Sequence, residues 1–366
     1  MAERPATVAA VGDVVLQRPL VWRRGEFPSR VLEAADVAVA NLESPCSDRG
    51  TRADKLIALR SPAAAAGWVA ALGFHAVSLA NNHALDYGWE ALADTLGGVR
   101  EAGAAPFGAG ENLAEAMAPA VVRAASGARV AFVGLCTALP LGSAAAPDRP
   151  GAAPLRALQA YAVDAALAEE QPGSAPYVRT WCVPEDVARA EEVIRRARGE
   201  ADVVIAVIHW GVPPAFVAPF QAPLADYQRP LARALADAGA DAIVGHHAHV
   251  VHGVELIGRT PVLYSLGNFV FHRLQAAVGA ERPSPPYNLG PLRGDESQDS
   301  LAVLLRFGPR GFTEMEAHPV RLDRNWEPAA PDPDAAERIL RRFAAMSRDL
   351  DTVVDVAQGV ARLAAR

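Results

Sequence analysis

Ala240-Asp241-Ala242-Ile243-Val244-Gly245-His246-His247-Ala248-His249-Val250-Val251-His252 is the stretch that decides how this chain is read. Its short apolar run reads as a buried strand that ends in a loop. That loop gathers four of the nine histidines into seven residues. Neutral imidazole offers a nitrogen lone pair near pH 7 and is the commonest metal ligand. One histidine at a strand end is usually a hydrogen-bonded core or surface residue, but four together are hard to bury without a partner for each ring. His247 and His249 are one residue apart, and on an extended backbone alternate side chains point the same way. Both rings are therefore expected to face one ion.

Working outward, short apolar runs alternate with helical stretches. Strands are expected over 7–11, 37–40, 76–80, 129–135, 203–208, 242–244 and 261–265. Helices are expected over 62–72, 87–102, 184–198, 228–238 and 333–346. This alternation predicts an α/β fold with a helix-covered sheet. Residues 138–180, rich in Ala, Pro and Gly, read as an insertion. Residues 272–299 read as a long mobile loop. Residues 326–366 read as a polar helical extension on the outside of a main domain spanning 1–325.

Composition narrows the function. The 366 residues carry 35 basic and 42 acidic side chains, a formal charge of −7, so nucleic acid and anionic membrane surfaces are not expected partners. Cys46, Cys136 and Cys182 form no C-x-x-C pair, which argues against a disulfide framework and a thiolate zinc site. The N-terminal residues carry no charged leader or cleavage site. No apolar run approaches the roughly 18 residues of a membrane helix. A cytoplasmic protein without a membrane anchor is expected.

Candidate ligands recur at the strand ends. Asp13 follows the first strand, Asn41-Leu42-Glu43 the second, and Asn81-Asn82-His83 with Asp86-Tyr87-Gly88 the third. His209-Trp210-Gly211, the histidine cluster and Ser265-Leu266-Gly267-Asn268-Phe269 come later. Each alone is a common turn or cap. Together they place oxygen and imidazole ligands at the same end of consecutive strands, where a sheet binds its ligands. A carboxylate, amide and imidazole set without thiolate suits Mn²⁺, Fe or Zn²⁺. There are more ligands than one ion needs, which points to two metals sharing a carboxylate, roughly 3.5–4 Å apart.

In this order the motifs resemble the poly-γ-glutamate capsule synthesis (CapA-type) proteins, a family similar to the calcineurin-like metallophosphoesterases. The resemblance covers roughly residues 5–272. It implies a four-layer α/β/β/α sandwich of two mixed sheets flanked by helices. It also implies metal-ligand roles for Asp13, Glu43 (bridging), Asn82, His209, His247 and His249, the last two serving one metal each. His83 matches the histidine that contacts the substrate's anionic group and is expected to be catalytic. His246 has no counterpart in the pattern and is expected to join His83 in catalysis, supporting a ligand or facing the substrate. Lys55 and Arg60 match a basic stretch and are expected, with Asn81 and Asn268, to hold the substrate. A guanidinium can clamp a carboxylate or phosphate bidentately.

The phosphoesterase pattern begins Asp-x-His, whereas this chain has Asp13-Val14-Val15. One ligand of the first metal is therefore missing, and a mono- or dinuclear centre is expected. The expected activity is metal-dependent hydrolysis of a phosphoester or γ-glutamyl-type amide of an acidic small molecule. The rivals are a non-catalytic accessory protein of poly-γ-glutamate or envelope polymer synthesis, and a metal-dependent amide-forming or transfer enzyme.

Overall fold

The computed structural model describes residues 5–20, 23–55, 57–174, 176–211, 224–272 and 295–365. Its centre is the strand Ala6–Val15, whose residues are almost all buried. Neighbouring side chains of this strand leave on opposite faces, as the pleat requires. Val8 and Ala10 enter one apolar cluster and Ala9 and Val11 another. The strand at Val203–His209 does the same. Val203, Ile205 and Val207 share the first cluster, while Val204, Ala206 and Ile208 face a third. The cluster common to both strands lies between two sheets.

Among the described residues the first sheet has ten strands. Ala6–Val15, Val37–Leu42, Ala76–Ser78 and Ala105–Phe107 run parallel, and Asn268–Phe271 pairs parallel to the end of the first. Asp299–Gly308 and Gly311–Leu322 add a long antiparallel hairpin on the other flank. The second sheet has six strands, with Arg129–Cys136, Val203–His209, Ala242–His246 and Thr260–Leu263 parallel at its centre. Helices Ala65–Ala71 and Gly88–Glu101 cover the outer face of the first sheet through Ala65, Val69, Leu92, Leu96 and Val99. Pro184–Glu200 and Gln228–Asp237 cover the second through Val193, Ile194, Leu231 and Leu235. Helix, sheet, sheet and helix stack as four layers, the architecture the resemblance implied. The single helix-covered sheet read from periodicity is corrected to two. Strands buried on both faces are apolar runs whichever sheet they join.

Three boundary expectations change. Residues 326–366 are not simply helical. After helix Pro333–Arg348, strands Asp355–Ala357 and Val360–Ala364 join the edge of the first sheet against Gly311–Leu322. Nor is the helix peripheral, because Ile339, Leu340 and Phe343 enter the cluster between the sheets. Ile339→Val should therefore lower the unfolding free energy by about 0.5–1.5 kcal/mol, the cost of one buried methylene. Denaturant titration checks this, and no change would place the helix outside the core. In the segment 138–180, Ala145, Ala153 and Leu155 are core residues under the second sheet. The exposed part is the hairpin of Ala157–Ala162 with Tyr177–Cys182, which encloses a short helix at Ala165–Glu170. Most of the loop expected at 272–299 lies outside the described residues, but Asp295–Gln298 is a helix and Asp299 begins a strand.

Candidate metal centre

The parallel strands of both sheets end at one edge of the molecule, and the candidate ligands sit there. Asp13 lies in the first strand where it crosses Gly267, and the Asp13 amide donates to the Gly267 carbonyl at 3.0 Å. Gly12 allows that approach, since a Cβ there would lie 2.0 Å from the Gly267 oxygen. Glu43 directly follows strand Val37–Leu42, His209 ends its strand, and His247 directly follows strand Ala242–His246.

Two three-residue groups result, each with its donor atoms within 4.8 Å of one another and every residue buried. Glu43, His209 and His247 form one, and Asp13, Glu43 and His249 the other. Glu43 belongs to both. Its Oε1 lies 3.5 Å from His209 Nε2 and 3.7 Å from His249 Nε2. Asn82 Oδ1 sits 2.8 Å from His209 Nε2, so it joins the first group. Both Glu43 oxygens and His247 Nδ1 are buried without a hydrogen-bond partner among the described residues. Buried polar atoms of this kind are rare unless water or an ion completes them. The donor set and these orphaned atoms fit divalent cations.

His247 and His249 reach separate groups because the chain is not extended here. Both take left-handed backbone angles, φ 91° and 57°. This corrects the expectation that the two rings face one ion. Such angles cost a non-glycine residue about 1–3 kcal/mol and gather where function over-determines the backbone.

Burial and the two carboxyl groups set the electrostatics of this hollow. Burial, then the charge of Asp13, holds the Glu43 carboxyl well above the usual range. Burial also works to raise Asp13, but the hydrogen bond with His249 and the nearby imidazoles win and lower it. Burial lowers His209 strongly, helped by His247, and it brings His247 down to about 3. His249 behaves oppositely: burial opposes its charge, yet Glu43 and Asp13 raise it to about 9. Its Nδ1 lies 3.4 Å from Asp13 Oδ2 and its Nε2 3.7 Å from Glu43 Oε1, so it faces both carboxyl groups.

The supporting residues are fixed from behind. Asn41 donates to Asp13 Oδ1 at 2.8 Å, and its amide lies 3.4 Å from His209 Nδ1. Asn81 donates to Asn41 Oδ1 and to the Leu42 carbonyl, and it accepts from the His83 amide. Asn268 Oδ1 pairs with His249 Nδ1 at 2.9 Å, and its amide donates to the carbonyls of His249 and Ser297. The expected substrate contacts at Asn81 and Asn268 are therefore corrected, because both amides are spent inside the protein. Lys55 is also spent. Its ammonium pairs with Asp86 at 2.5 Å and donates to the Asn82 carbonyl. Of the four expected substrate contacts only Arg60 faces outward, stacked over the Tyr87 ring at 4.2 Å.

His83 stands beside the ligand groups rather than in them. Nδ1 is held by Asp86 Oδ2 at 2.5 Å, and Nε2 points at Glu43, 3.9 Å from Oε1. His246 does not face the same opening. It is buried between the sheets with Nε2 3.0 Å from the Val11 carbonyl, a link between the two layers. The alternate-side rule places it with Ala242 and Val244, so its expected catalytic position is corrected to a supporting one. Sequence reading gave no role to Asn41, although Asn41-Leu42-Glu43 had been noted as a motif. It also missed Tyr227, whose hydroxyl accepts from the Gly211 amide and meets Thr137 behind the His209 turn. Residues that act through another side chain leave no spacing signal.

Comparison with known proteins agrees on family. The description "Bacterial capsule synthesis protein PGA_cap" matches residues 7–273. The chain is 30% identical over 271 residues to the PGA biosynthesis protein CapA of Bacillus subtilis, covering 71% of this chain and 62% of that protein. It thus spans less than two thirds of that relative's length. The uncharacterized protein y4sH of Sinorhizobium fredii is 28% identical, with 96% of this chain and 91% of that protein covered. A Staphylococcus aureus structure described as a 5′-nucleotidase superposes with a TM-score of 0.43 at 12% identity, covering 94% of this chain and 58% of that one.

Proposed function

Because the chain belongs to the bacterial capsule synthesis protein PGA_cap family, we propose that it is a metal-dependent hydrolase acting on a γ-glutamyl-type amide or a phosphoester of an acidic molecule. The observation that carries this reading is Glu43, a buried carboxylate without a hydrogen bond that is shared by two ligand groups. Asp13, Glu43 and His249 would hold one divalent cation, and Glu43, Asn82, His209 and His247 the other. Such ions polarise the scissile oxygen and bring the pKa of a bound water near neutrality. His83 offers Nε2 for proton exchange with the reacting group, while Asp86 fixes its ring through Nδ1. Asn41 and Asn268 hold Asp13 and His249 in place, the usual work of residues behind a metal ligand.

The relative's name, PGA biosynthesis protein, favours a second reading in which the chain handles a polyglutamate product without cleaving it. One experiment separates the two. Protein purified without chelator is analysed for Mn, Fe and Zn, then assayed on phosphoester and γ-glutamyl amide substrates. Metal-dependent turnover supports the hydrolase, and a folded, metal-loaded but inert protein supports the second reading.

The two ions should differ in affinity. Val15 stands where the phosphoesterase pattern has a histidine, and here it is buried against Leu59 and Phe271. The Asp13 group therefore has three protein ligands and the His209 group four. On chelator titration the Asp13 side should empty first, in a separate step. Simultaneous loss of both ions would show that the missing histidine has been replaced by another ligand. No helix among the described residues is long and apolar enough to cross a membrane.

A further inference from the structure

Beside the metal-ligand groups lies a cleft of about 380 Å³. Its walls belong to the site. Val15 is two residues beyond Asp13, and the Leu59 amide donates to the same Asp86 oxygen that holds His83. Phe271, packed with Val15 and Leu59, also meets the His249 ring edge-on at 5.1 Å.

Two charged groups of opposite sign line this cleft, Arg60 and Asp48. They form no ion pair with each other, and neither pairs with another charge among the described residues. The Arg60 guanidinium rests on the Tyr87 ring, and Gln17 grips its carbonyl at 2.5 Å, so its position is set while its donors stay open. Asp48 accepts only a long 3.4 Å contact from the Ala63 amide. A phosphate dianion is poorly served here, because Lys55 is consumed by Asp86 and Asp48 would repel it. A guanidinium and a carboxylate held apart in one cleft instead match a group carrying both charges.

We propose that the cleft binds the zwitterionic α-amino-carboxylate head of a γ-linked glutamyl unit, its carboxylate on Arg60 and its ammonium on Asp48. In a γ-glutamyl amide both α-groups are free and the scissile carbonyl ends the side chain, so recognition and chemistry occur at opposite ends of one residue. This inference rests on the γ-glutamyl branch of the function proposed above.

Calorimetric titration of the full chain with three kinds of probe tests it: glutamate in each enantiomer, N-acetylglutamate, which lacks the ammonium, and the glutamate α-amide, which lacks the α-carboxylate. Glutamate should bind at least about tenfold tighter than either analogue, the scale of one charge-assisted hydrogen bond. Arg60→Gln should erase the preference over the α-amide, and Asp48→Asn the preference over N-acetylglutamate. Both side chains are exposed, so the variants should fold. Absence of saturable glutamate binding, equal binding of the three probes, or preferences that survive both substitutions would overturn the assignment. Binding is read without turnover. A protein that discriminates the probes but cleaves no γ-glutamyl amide keeps this inference and loses the hydrolase, and turnover with equal probe binding does the reverse.

Discussion

Glu43→Gln is expected to strip divalent metal from both ligand groups at once. Its carboxylate is the one member common to the two groups, so no other single substitution should reach both. Loss of a residue behind a ligand weakens metal binding by roughly 10–100-fold, and loss of a shared anionic ligand should exceed that at each position. Asp13→Asn is the contrast. It should empty only the group with His249 and leave Glu43, His209, His247 and Asn82 occupied. Elemental analysis after dialysis against dilute metal reads both outcomes. Misfolding is a separate matter, because glutamine keeps the shape and removes a buried carboxylate that has no hydrogen bond. The metal-free variant should therefore melt within about 4 °C of the metal-free parent, the shift expected for a change near 1 kcal/mol. One retained equivalent in Glu43→Gln would show that the carboxylate is not shared.

The second large effect belongs to His83. His83→Ala should lower turnover by on the order of a hundredfold or more, the contribution of a positioned acid or base. It should keep its metal, since His83 lies 3.9 Å from Glu43 and in neither ligand group. Asp86→Asn should reproduce part of the loss, because Asp86 fixes the ring through Nδ1 and also ties down Lys55 and the Leu59 amide. Metal content and turnover measured on the same preparations decide the matter. If metal and activity fall together in His83→Ala, the ring is a ligand. If turnover is unchanged, it has no part in the chemistry.

The two predictions draw on different kinds of information. That Glu43, His209, His247 and His249 gather near one another was legible in the sequence, because each follows an apolar run and parallel strands deliver their ends to one edge. The residue types likewise set the chemistry, oxygen and imidazole without thiolate. Sharing of Glu43 between two groups was implied by family resemblance, and the geometry then placed its carboxylate beside both. Periodicity could not have supplied it. A strand pattern tells which face a residue takes, not which partner stands opposite across two packed sheets.

The limits lie in the same physics. An apolar run is buried on both faces, yet it carries no mark of the sheet it joins. The strands at Ala6–Val15 and Val203–His209 read alike although they belong to different sheets. The C-terminal strands went unread because Asp355–Ala357 is exposed throughout and Val360–Ala364 buries only Ala361 and Leu363, too little for a strong apolar signal. Charge alone could not separate Lys55 from Arg60. Asp86 captures the one and leaves the other free, and that depends on where a loop folds back. Asn81 and Asn268 had the right chemistry for a substrate, but backbone carbonyls and neighbouring side chains took their hydrogen bonds first. The sequence alone determined which ligand chemistries stand at the strand ends. Tertiary structure decided which of those groups remain unpaired, since hydrogen bonding is settled by contacts between residues far apart in the chain.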